Sequence, residues 1–499
     1  MVDTLNICEI TVAELHERME AGTLTSEALV ERYLERIEAY DRNGPALNGV
    51  ITVNDRAVDR ARTLDRRLAE DGFVGPLHGV PLLVKDQVMT ADVETTFGSV
   101  AFEGYVPPRD AVIVEKLRDA GAIVLAKTNL PDWAAGFVGY SSVQGQTKNP
   151  YALDRDSGGS SAGTGAGVAA NLGTVGIGED TGGSIRVPAS CCNLYGLRVT
   201  TGLISRSGLS PLVSRMDTAG PMARTVADLT RVLDALVGYD SADKPTGIAG
   251  IADVASYTAA LDADGLDGAR IGVLRERFGS DSDPDAAPVN AAVEDALATM
   301  VEAGAELVDP VSLPSLERRI EESMLHDLQP KHDIDAFLAG LADAPVDSVE
   351  ALYEAGAYHE RLELFETIAA APADPTTDVE YWRRVDAQTT LMHEISGLHA
   401  EYDLDAIAFP DVQVVPMRYE RYHTGEAKRE DYPVNTVIAS QSSCPALSMP
   451  AGFTDDGLPV GIELLGPPFA EPRLLGLASG YEAVADVRRP PETTPPVAE

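Results

Sequence analysis

Short apolar runs alternate with amphipathic stretches along most of the chain. Runs bounded by turn residues predict strands at 79–84, 122–126, 271–274, 406–409 and 460–465. An amphipathic segment at 111–120 predicts a helix between two of these strands. Near the N-terminus, Thr11 and Glu14 have the spacing of a helix capping box, and apolar residues between 29 and 40 recur at helical spacing. Strands that alternate with helices favour a layered α/β fold with a central sheet covered by helices.

Changes in this pattern divide one predicted domain, residues 1–487, into four parts. Residues 1–72 are predicted to be helical, and residues 75–240 to hold the first strands of the core. Residues 281–402 are mostly helical with acidic faces, apart from a short strand near 305–308. Because strand-like runs resume within 403–487, we predict that the helical region is an insertion and not a separate domain. The Pro-rich segment 488–499 is predicted to be a flexible tail.

The charge of the chain limits its partners. The 79 acidic residues outnumber 39 lysines and arginines, and the net charge of −40 would repel nucleic acids and anionic membranes. We therefore expect no direct nucleic acid partner and no membrane. The acidic, lysine-poor composition is typical of the cytoplasm of salt-accumulating organisms, and an acidic bacterial protein without this adaptation is the alternative. Four scattered cysteines and the lack of a long apolar run favour a cytoplasmic protein without a membrane span or signal peptide.

Glycine and serine are concentrated in residues 157–167 and again in 178–188. Apolar runs follow directly, so we predict that these segments pack inside the core and are not linkers. A phosphate-binding loop is one interpretation, but the first segment lacks Gly-Lys-Ser/Thr and follows residues 149–156, which are predicted to be a polar loop. An α/β-hydrolase nucleophile elbow at Ser161 is a second, and it too lacks a preceding buried strand. In the third, Ser160 and Ser184 act with a base from elsewhere in the chain.

Several motifs together resemble one known family. In chain order they are Gly79-Val-Pro-Leu-Leu-Val-Lys-Asp86, Gly145-Gln-Thr-Lys-Asn-Pro150, Gly158-Gly-Ser-Ser-Ala-Gly163, Asp180-Thr-Gly-Gly-Ser-Ile-Arg-Val-Pro188, Pro445-Ala-Leu-Ser-Met-Pro-Ala-Gly-Phe453 and Gly457-Leu-Pro-Val-Gly-Ile-Glu-Leu-Leu-Gly466. They resemble the amidase signature family of serine hydrolases over residues 75–482, apart from the helical insertion. The resemblance implies an α/β/α sandwich with a central mixed β-sheet covered by helices. It also implies hydrolysis of a small-molecule carboxylic amide to a carboxylate and ammonia or an amine.

The resemblance further implies a Ser–cis-Ser–Lys triad, with Ser184 as the nucleophile, Ser160 as the bridging serine and Lys85 as the base. A serine hydroxyl is a weak nucleophile until a base accepts its proton, and lysine can do this only as a neutral amine. The apolar strand before Lys85 would bury the amine and lower its pKa. If that strand is regular, Asp86 points to the opposite face and does not hold Lys85 in its charged form. The bond between Gly159 and Ser160 is implied to be cis.

The glycines beside the nucleophile have a second predicted use. Their loop would form an oxyanion hole from the backbone N–H groups of Thr181, Gly182, Gly183 and Ser184. Gly159, Asp180 and Arg186 are predicted to support the loops and not to react. A triad of this kind needs no cofactor, and the histidines and cysteines show no metal-binding spacing, so we expect neither a cofactor nor a metal.

Two other functions stay open. One branch of the family is the glutaminase A subunit of Glu-tRNA(Gln) or Asp-tRNA(Asn) amidotransferases, which usually carries an aspartate shortly before the Pro-Ala segment. Pro433 stands at that position here, which favours a stand-alone amidase. The second alternative is a non-catalytic scaffold that keeps the fold for binding. No motif encodes the oligomeric state, and a homodimer is compatible with the sequence.

Overall fold

The computed structural model describes residues 6–252, 254–426 and 432–497, with a mixed β-sheet at the centre. The strands are β1 (Val50–Val53), β2 (Pro81–Lys85), β3 (Ile123–Thr128), β4 (Tyr140–Ser141), β5 (Gly145–Gln146), β6 (Lys148–Asn149), β7 (Ala152–Asp156), β8 (Val175–Asp180), β9 (Tyr195–Arg198), β10 (Thr218–Ala223), β11 (Arg270–Val273), β12 (Glu306–Val308), β13 (Ala406–Pro410), β14 (Ala446–Phe453) and β15 (Pro459–Leu465). Eleven of them form the central sheet in the order β1-β3-β2-β8-β10-β9-β14-β15-β13-β11-β12. The pairs β4-β5 and β6-β7 form two small separate sheets.

Helices cover both faces of the sheet. They are α1 (Val12–Glu20), α2 (Ser26–Arg36), α3 (Ala57–Asp71), α4 (Val112–Asp119), α5 (Ala162–Ala169), α6 (Arg186–Cys191), α7 (Val226–Leu236), α8 (Ala249–Ala252), α9 (Ala287–Glu302), α10 (Leu316–Glu322), α11 (Pro330–Ala339), α12 (Val349–Glu354), α13 (Glu363–Ala370), α14 (Val379–Tyr402), α15 (Tyr419–His423), α16 (Val437–Ser442) and α17 (Glu471–Val484). Buried side chains join α4, α7, α9 and α17 to one face, and α2, α3, α5 and α14 to the other. The predicted α/β/α sandwich with a central mixed sheet is thereby confirmed.

Most predicted elements lie close to their predicted places. The apolar runs at 79–84, 122–126, 271–274, 406–409 and 460–465 coincide with β2, β3, β11, β13 and β15, and α4 lies within 111–120. Thr11 and Glu14 form the predicted capping box at the start of α1. The prediction of a polar loop at 149–156 is wrong, because β7 occupies the end of that segment and pairs with β6. Its mostly polar, partly exposed residues carry no apolar alternation that would have revealed a strand.

Alternation along β2 separates two charged residues. β2 is buried and pairs in parallel with β3 and β8. Val84 packs in the cluster that contains α4 and α7, whereas Leu83 packs with α5. Because successive side chains of a strand point to opposite faces, Lys85 and Asp86 diverge. Asp86 faces away from Lys85, as predicted, and its Oδ1 lies 3.0 Å from Nζ of Lys127 on β3.

The region 281–402 begins inside the core. α9 packs on β13, β14 and β15, and β12 extends the sheet by pairing in parallel with β11. Further along, α10 and α14 pack against each other and against α16. The helical character of the region agrees with its sequence pattern, but its first part belongs to the sheet and its helical cover. Within the described ranges, no helix is long and apolar enough to cross a membrane.

The chain end packs against the N-terminal part of the molecule. Arg488 Nη2 lies 2.7 Å from Glu9 Oε1 and donates a hydrogen bond of 3.1 Å to the main-chain oxygen of Ala169. Arg36 donates a hydrogen bond of 2.8 Å to the main-chain oxygen of Thr494. The tail was predicted to be flexible, but its described part, 488–497, makes specific contacts. Arg36 binds the backbone of the tail, and Arg488 of the tail binds Glu9 and Ala169.

Candidate active site

Lys85 lies at the carboxyl end of β2, where it contacts Ser160 and Glu179. Its Nζ donates a hydrogen bond of 2.8 Å to Ser160 Oγ and one of 3.0 Å to the main-chain oxygen of Glu179. The same Nζ lies 3.2 Å from Glu179 Oε2. The side chain of Lys85 is fully buried. The fold thus brings together a lysine and a serine that are 75 positions apart in the chain.

Glu179 changes the expected surroundings of the lysine. Burial holds the pKa of Lys85 below its usual value because desolvation penalises the ammonium, and the Glu179 carboxylate opposes this shift. The apolar strand is therefore not the only influence on the amine. Alternation along β8 puts Glu179 on the side of Ile177, away from Lys85. The two side chains meet where β2 and β8 no longer pair with each other, beyond Val84 and Ile177.

A constrained loop carries Ser160. The bond between Gly159 and Ser160 is cis, as the resemblance implies. Gly158 has a φ of +77°, in the left-handed region that favours glycine, and a Cβ there would lie 2.9 Å from Pro188 Cα. Oδ1 of Asp156 accepts a hydrogen bond of 2.5 Å from the N–H of Gly158. Side chains larger than hydrogen are therefore excluded at Gly158, directly before the pair that carries the serine.

Ser184 lies directly before α6 and is 3% exposed. Its main-chain oxygen accepts a hydrogen bond of 3.1 Å from the N–H of Ser161, which joins the loop that carries Ser184 to the segment that carries Ser160. Among the hydrogen bonds of the described residues, Lys85 is linked to Ser160, but none joins Ser160 Oγ to Ser184 Oγ. Catalytic hydrogen bonds are often long without substrate and tighten only when it binds.

The loop between β8 and α6 carries free backbone donors. In the part of the chain that the structure describes, the N–H groups of Thr181, Gly182, Gly183 and Ser184 donate no hydrogen bond. Buried backbone donors are nearly always paired, so four adjacent free ones mark a place where an oxygen with negative charge can bind. Gly183 has a φ of +136°, and a Cβ there would lie 1.9 Å from Thr436 Oγ1. Thr436 donates a hydrogen bond of 2.8 Å to the main-chain oxygen of Gly182, which holds the loop against α16.

Asp180 and Arg186 lie in a buried ionic network behind this loop. Arg186 contacts Asp180 at 3.1 Å and Glu463 at 2.7 Å, and Arg198 contacts Asp180 at 2.8 Å. Asp180 also accepts a hydrogen bond of 3.2 Å from the N–H of Ile185. Burial alone would raise the pKa of Asp180, but the two guanidinium groups hold it below its usual value. The network ties the start of α6 to the sheet.

Sequence reasoning misses three further residues at this site besides Glu179. Thr436 contacts the loop as described, and a Cβ on Gly182 would lie 3.1 Å from Phe137 Cζ and 3.4 Å from His326 Nε2. His326 belongs to the helical insertion, which therefore reaches the nucleophile loop. These three residues stand in no recognisable motif. Glu179 comes directly before the motif residue Asp180, but strand alternation predicts that its side chain points away from Lys85.

The rival sequence interpretations fit the structure less well. Ser161, the candidate for a nucleophile elbow, uses its hydroxyl on the backbone, where Oγ lies 3.2 Å from the main-chain oxygen and 3.3 Å from the N–H of Glu179. Cys191 and Cys192 are buried core residues. Across residues 6–252, 254–426 and 432–497, no group of three His, Cys, Asp or Glu side chains is arranged to hold a metal ion.

Comparison with known proteins gives one consistent result. The family model described as Amidase matches residues 28–475. The A subunit of the glutamyl-tRNA(Gln) amidotransferase of Symbiobacterium thermophilum is 36% identical, over 95% of this chain and 96% of its own length. The corresponding A subunit of Pseudomonas aeruginosa is also 36% identical, over 96% of this chain and 98% of its own.

Solved structures with the same fold include a peptide amidase and an amidotransferase A subunit. The peptide amidase of Stenotrophomonas maltophilia is 37% identical and superimposes with a TM-score of 0.87 over 97% of this chain and 99% of its own. The glutamyl-tRNA(Gln) amidotransferase A subunit of Thermotoga maritima is 25% identical, with a TM-score of 0.77 over 98% of this chain and 99% of its own. The chain therefore belongs to the amidase signature family, and it is an amide-hydrolysing enzyme and not a non-catalytic scaffold.

Proposed function

We propose that the protein is a stand-alone amidase that hydrolyses a carboxylic amide through an acyl-enzyme on Ser184. The observation that carries the proposal is the hydrogen bond of 2.8 Å between Lys85 Nζ and Ser160 Oγ, beside the loop that holds Ser184. Burial lowers the pKa of the Lys85 amine, so the neutral form that a base requires is easier to reach than in a solvated lysine. Ser160 gives this base a route to the nucleophile, because a hydroxyl can accept one proton while it donates another.

The proposed reaction proceeds in two stages. Ser184 Oγ attacks the amide carbon as its proton passes to Ser160, and the Ser160 proton passes to the neutral Lys85 amine. The N–H groups of the loop from Thr181 to Ser184, which are those of Thr181, Gly182, Gly183 and Ser184, stabilise the negative oxygen of the tetrahedral intermediate. When the C–N bond breaks, the proton returns through Ser160 to the leaving nitrogen, and ammonia or an amine departs. Water then attacks the ester by the same proton route and releases the carboxylate.

Substitution of the nucleophile tests this proposal directly. In Ser184→Ala, ammonia release from a panel of aliphatic, aromatic and peptide-terminal amides is expected to fall to background, because no acyl-enzyme can form. Ser161→Ala is the matched control, since this neighbouring serine binds only backbone atoms through its side chain. The control should keep measurable turnover. Full activity in Ser184→Ala, or loss of activity only in Ser161→Ala, contradicts the assignment.

A second candidate function is the glutaminase component of a tRNA-dependent amidotransferase. It is favoured by the 36% identity to amidotransferase A subunits over nearly the whole chain. Pro433, at the place where those proteins usually have an aspartate, and the match to the peptide amidase favour the stand-alone enzyme. The two functions differ in their response to a partner. Ammonia release from glutamine that rises strongly when a tRNA-binding partner is added would support the second candidate over the first.

The net charge supports a proposal about the setting of the enzyme. At −40, the chain repels itself unless cations screen the charge, so we propose that the enzyme works in the cytoplasm of a salt-accumulating organism. Its expected partner there is a small-molecule amide. The same charge disfavours direct binding to nucleic acid or to an anionic membrane.

A further inference from the structure

Glu179 occupies a position that opposes the proposed reaction. Its Oε2 lies 3.2 Å from Lys85 Nζ, and the exposed fractions of the two side chains are 1% and 0%. The base must be a neutral amine, but a carboxylate at this distance favours the ammonium. The polar neighbours that Lys85 contacts in the described structure are Ser160 and Glu179. The carboxyl of Glu179 is therefore the charged group in direct contact with the base.

A proton count around Thr181 shows how Glu179 is held. The Thr181 hydroxyl lies 3.0 Å from Glu179 Oε1 and 2.7 Å from Asp217 Oδ1. A hydroxyl has one proton to donate, so both contacts are hydrogen bonds only if one carboxyl is protonated and donates to the Thr181 oxygen. Glu179 faces the lysine and Asp217 does not. Two arrangements satisfy both contacts, one with the proton on Asp217 and one with it on Glu179. Burial raises the pKa of both acids, but the Lys85 charge opposes the rise at Glu179 and not at Asp217. The proton therefore belongs on Asp217, and Thr181 donates to a Glu179 carboxylate that faces the Lys85 ammonium.

The surroundings of Asp217 agree with this assignment. Burial, and next the negative charge of Glu179, raise the pKa of Asp217 to about 7. Its oxygens accept hydrogen bonds of 3.0 Å from the N–H groups of Leu212 and Val213, and Asp333 adds further negative charge nearby. No cation pairs with Asp217 among the ion pairs of the described residues. A protonated acid is therefore favoured here at neutral pH and below.

The other charges near Lys85 are already compensated. Asp180, the next acid that acts on the amine, is paired with Arg186 and Arg198. Arg206, which is close to Asp217, is paired with Asp243 at 2.6 Å. Glu179 is therefore the carboxylate whose pairing with Lys85 is not shared with an arginine.

A cavity gives this cluster a route to solvent away from the nucleophile. It has a volume of about 250 Å³ and is lined by both Glu179 and Asp217, together with residues such as Arg206, Ser210 and Phe337. Ser184 and the glycines of its loop are not among the lining residues. Lys85 does not line the cavity itself, so a proton that leaves its amine would reach the cavity past the Glu179 carboxyl, on a path that does not involve Ser184. In that step an Nζ–H bond of the ammonium breaks, water receives the proton, and the neutral amine remains.

We propose that Glu179 is a positioning residue for the amidase reaction, which fixes the Lys85 amine against Ser160 and sets the pH above which this amine acts as a base. Thr181 and Asp217 hold Glu179 in that role. The inference rests on the proposed function, because it assigns the base role to Lys85. Glu179 lies outside the triad of Lys85, Ser160 and Ser184, and it adjusts the protonation of Lys85.

The test is the pH profile of kcat/KM, together with the pH profile of the rate at which a fluorophosphonate labels the enzyme. In Glu179→Gln, the charge that favours the ammonium is gone, so the acidic limb of both profiles should move to lower pH by at least about one unit. At one pH unit below the midpoint of the wild-type acidic limb, the variant should retain a fraction of its plateau activity that is up to about tenfold larger than the fraction that the wild type retains. Asp217→Asn replaces a protonated acid by another neutral side chain that can donate to Thr181, so its limb should move much less than that of Glu179→Gln.

Two further variants keep the test decisive. Asp243→Asn removes an acid that lines the same cavity. Asp243 is paired with Arg206 and does not act on Lys85, so the acidic limb of this variant should not move. If Glu179→Gln does not fold, Thr181→Val removes the donor that stabilises the Glu179 carboxylate and should shift the limb to lower pH. Unmoved limbs in these Glu179 and Thr181 variants, or an equal shift in Asp243→Asn, overturn the inference. If Ser184→Ala keeps activity, the proposed function itself fails, which is a separate result.

Discussion

Contacts of single atoms determine the geometry of the nucleophile loop. Gly183 adopts a backbone conformation that side chains rarely take, and the Thr436 hydroxyl fills the space where its Cβ would be. The same hydroxyl donates to Gly182, so the loop is held on the side opposite to its free N–H groups. Donors that are fixed before the reaction cost no reorganisation when negative charge develops. The loop therefore depends on glycine at this position.

Gly183→Ala is expected to lower kcat by about 10²–10³, which is the effect of losing one oxyanion donor. The added methyl must displace Thr436 or the loop, because the Cβ would lie 1.9 Å from Thr436 Oγ1. Ammonia release measures the loss, and circular dichroism checks that the fold is retained. Gly247→Ala is a matched control, since no atom lies within 4 Å of the Cβ position there. Wild-type turnover in Gly183→Ala would show that this loop does not carry the reaction.

At this scale, the sequence predicts the site only in part. Lys85, Ser160 and Ser184 stand in motifs, so their approach could be predicted from the family resemblance. Glu179 could not be placed beside Lys85, because alternation along the two strands puts them on opposite sides and their contact forms beyond the paired residues. The position of Thr436 at the site could not be predicted for another reason. It lies at the start of α16, far along the chain, and stands in no motif.

At the scale of elements, apolar runs predict the buried strands well and other strands poorly. β2, β3 and β13 are continuous buried runs, which is the pattern of a strand covered on both faces. β10 contains Gly220 and Pro221, two residues that argue against a strand, and it is nevertheless central in the sheet. β7 is polar and lies outside the sheet. Prediction therefore fails where packing against neighbours overrides local composition.

The chain end provides a test of element packing. Arg488→Ala should lower the free energy of unfolding by about 1–3 kcal/mol, because Glu9 and the carbonyl groups of Ala169 and Asn193 lose a charged hydrogen-bond partner. Urea denaturation measures the change. Arg489→Ala is the neighbouring control. Among the described residues, the guanidinium of this exposed arginine contacts the ring face of Phe453, 4.9 Å from its centre, so its loss should change stability less. Equal stability of the two variants would mean that the tail does not contribute through Arg488.

At the scale of the whole molecule, net charge and fold act in opposite directions. The fold buries a continuous apolar core on both faces of the sheet, whereas a net charge of −40 favours expansion. The screening length is about 30 Å at 0.01 M salt and about 3 Å at 1 M salt. Concentrated salt therefore removes most of the repulsion between distant acidic side chains and leaves the core unchanged.

We expect the melting temperature to be several degrees higher in molar KCl than in millimolar KCl. Scanning calorimetry in the two solutions measures the difference, and a series in sucrose separates charge screening from general exclusion effects. A melting temperature that is equal in both salt solutions would contradict the proposed adaptation to salt. It would leave the active site assignment untouched, because the triad is buried and screened little.

The central claim is that Lys85 activates Ser184 through Ser160. Mass spectrometry after fluorophosphonate treatment tests it most directly, because the adduct forms only on an activated hydroxyl and can be mapped to one residue. We predict a single adduct on Ser184 in the wild type, none in Ser184→Ala, and labelling slowed by about 10²–10⁴ in Lys85→Met. An adduct on another serine, or an unchanged labelling rate in Lys85→Met, would contradict the account.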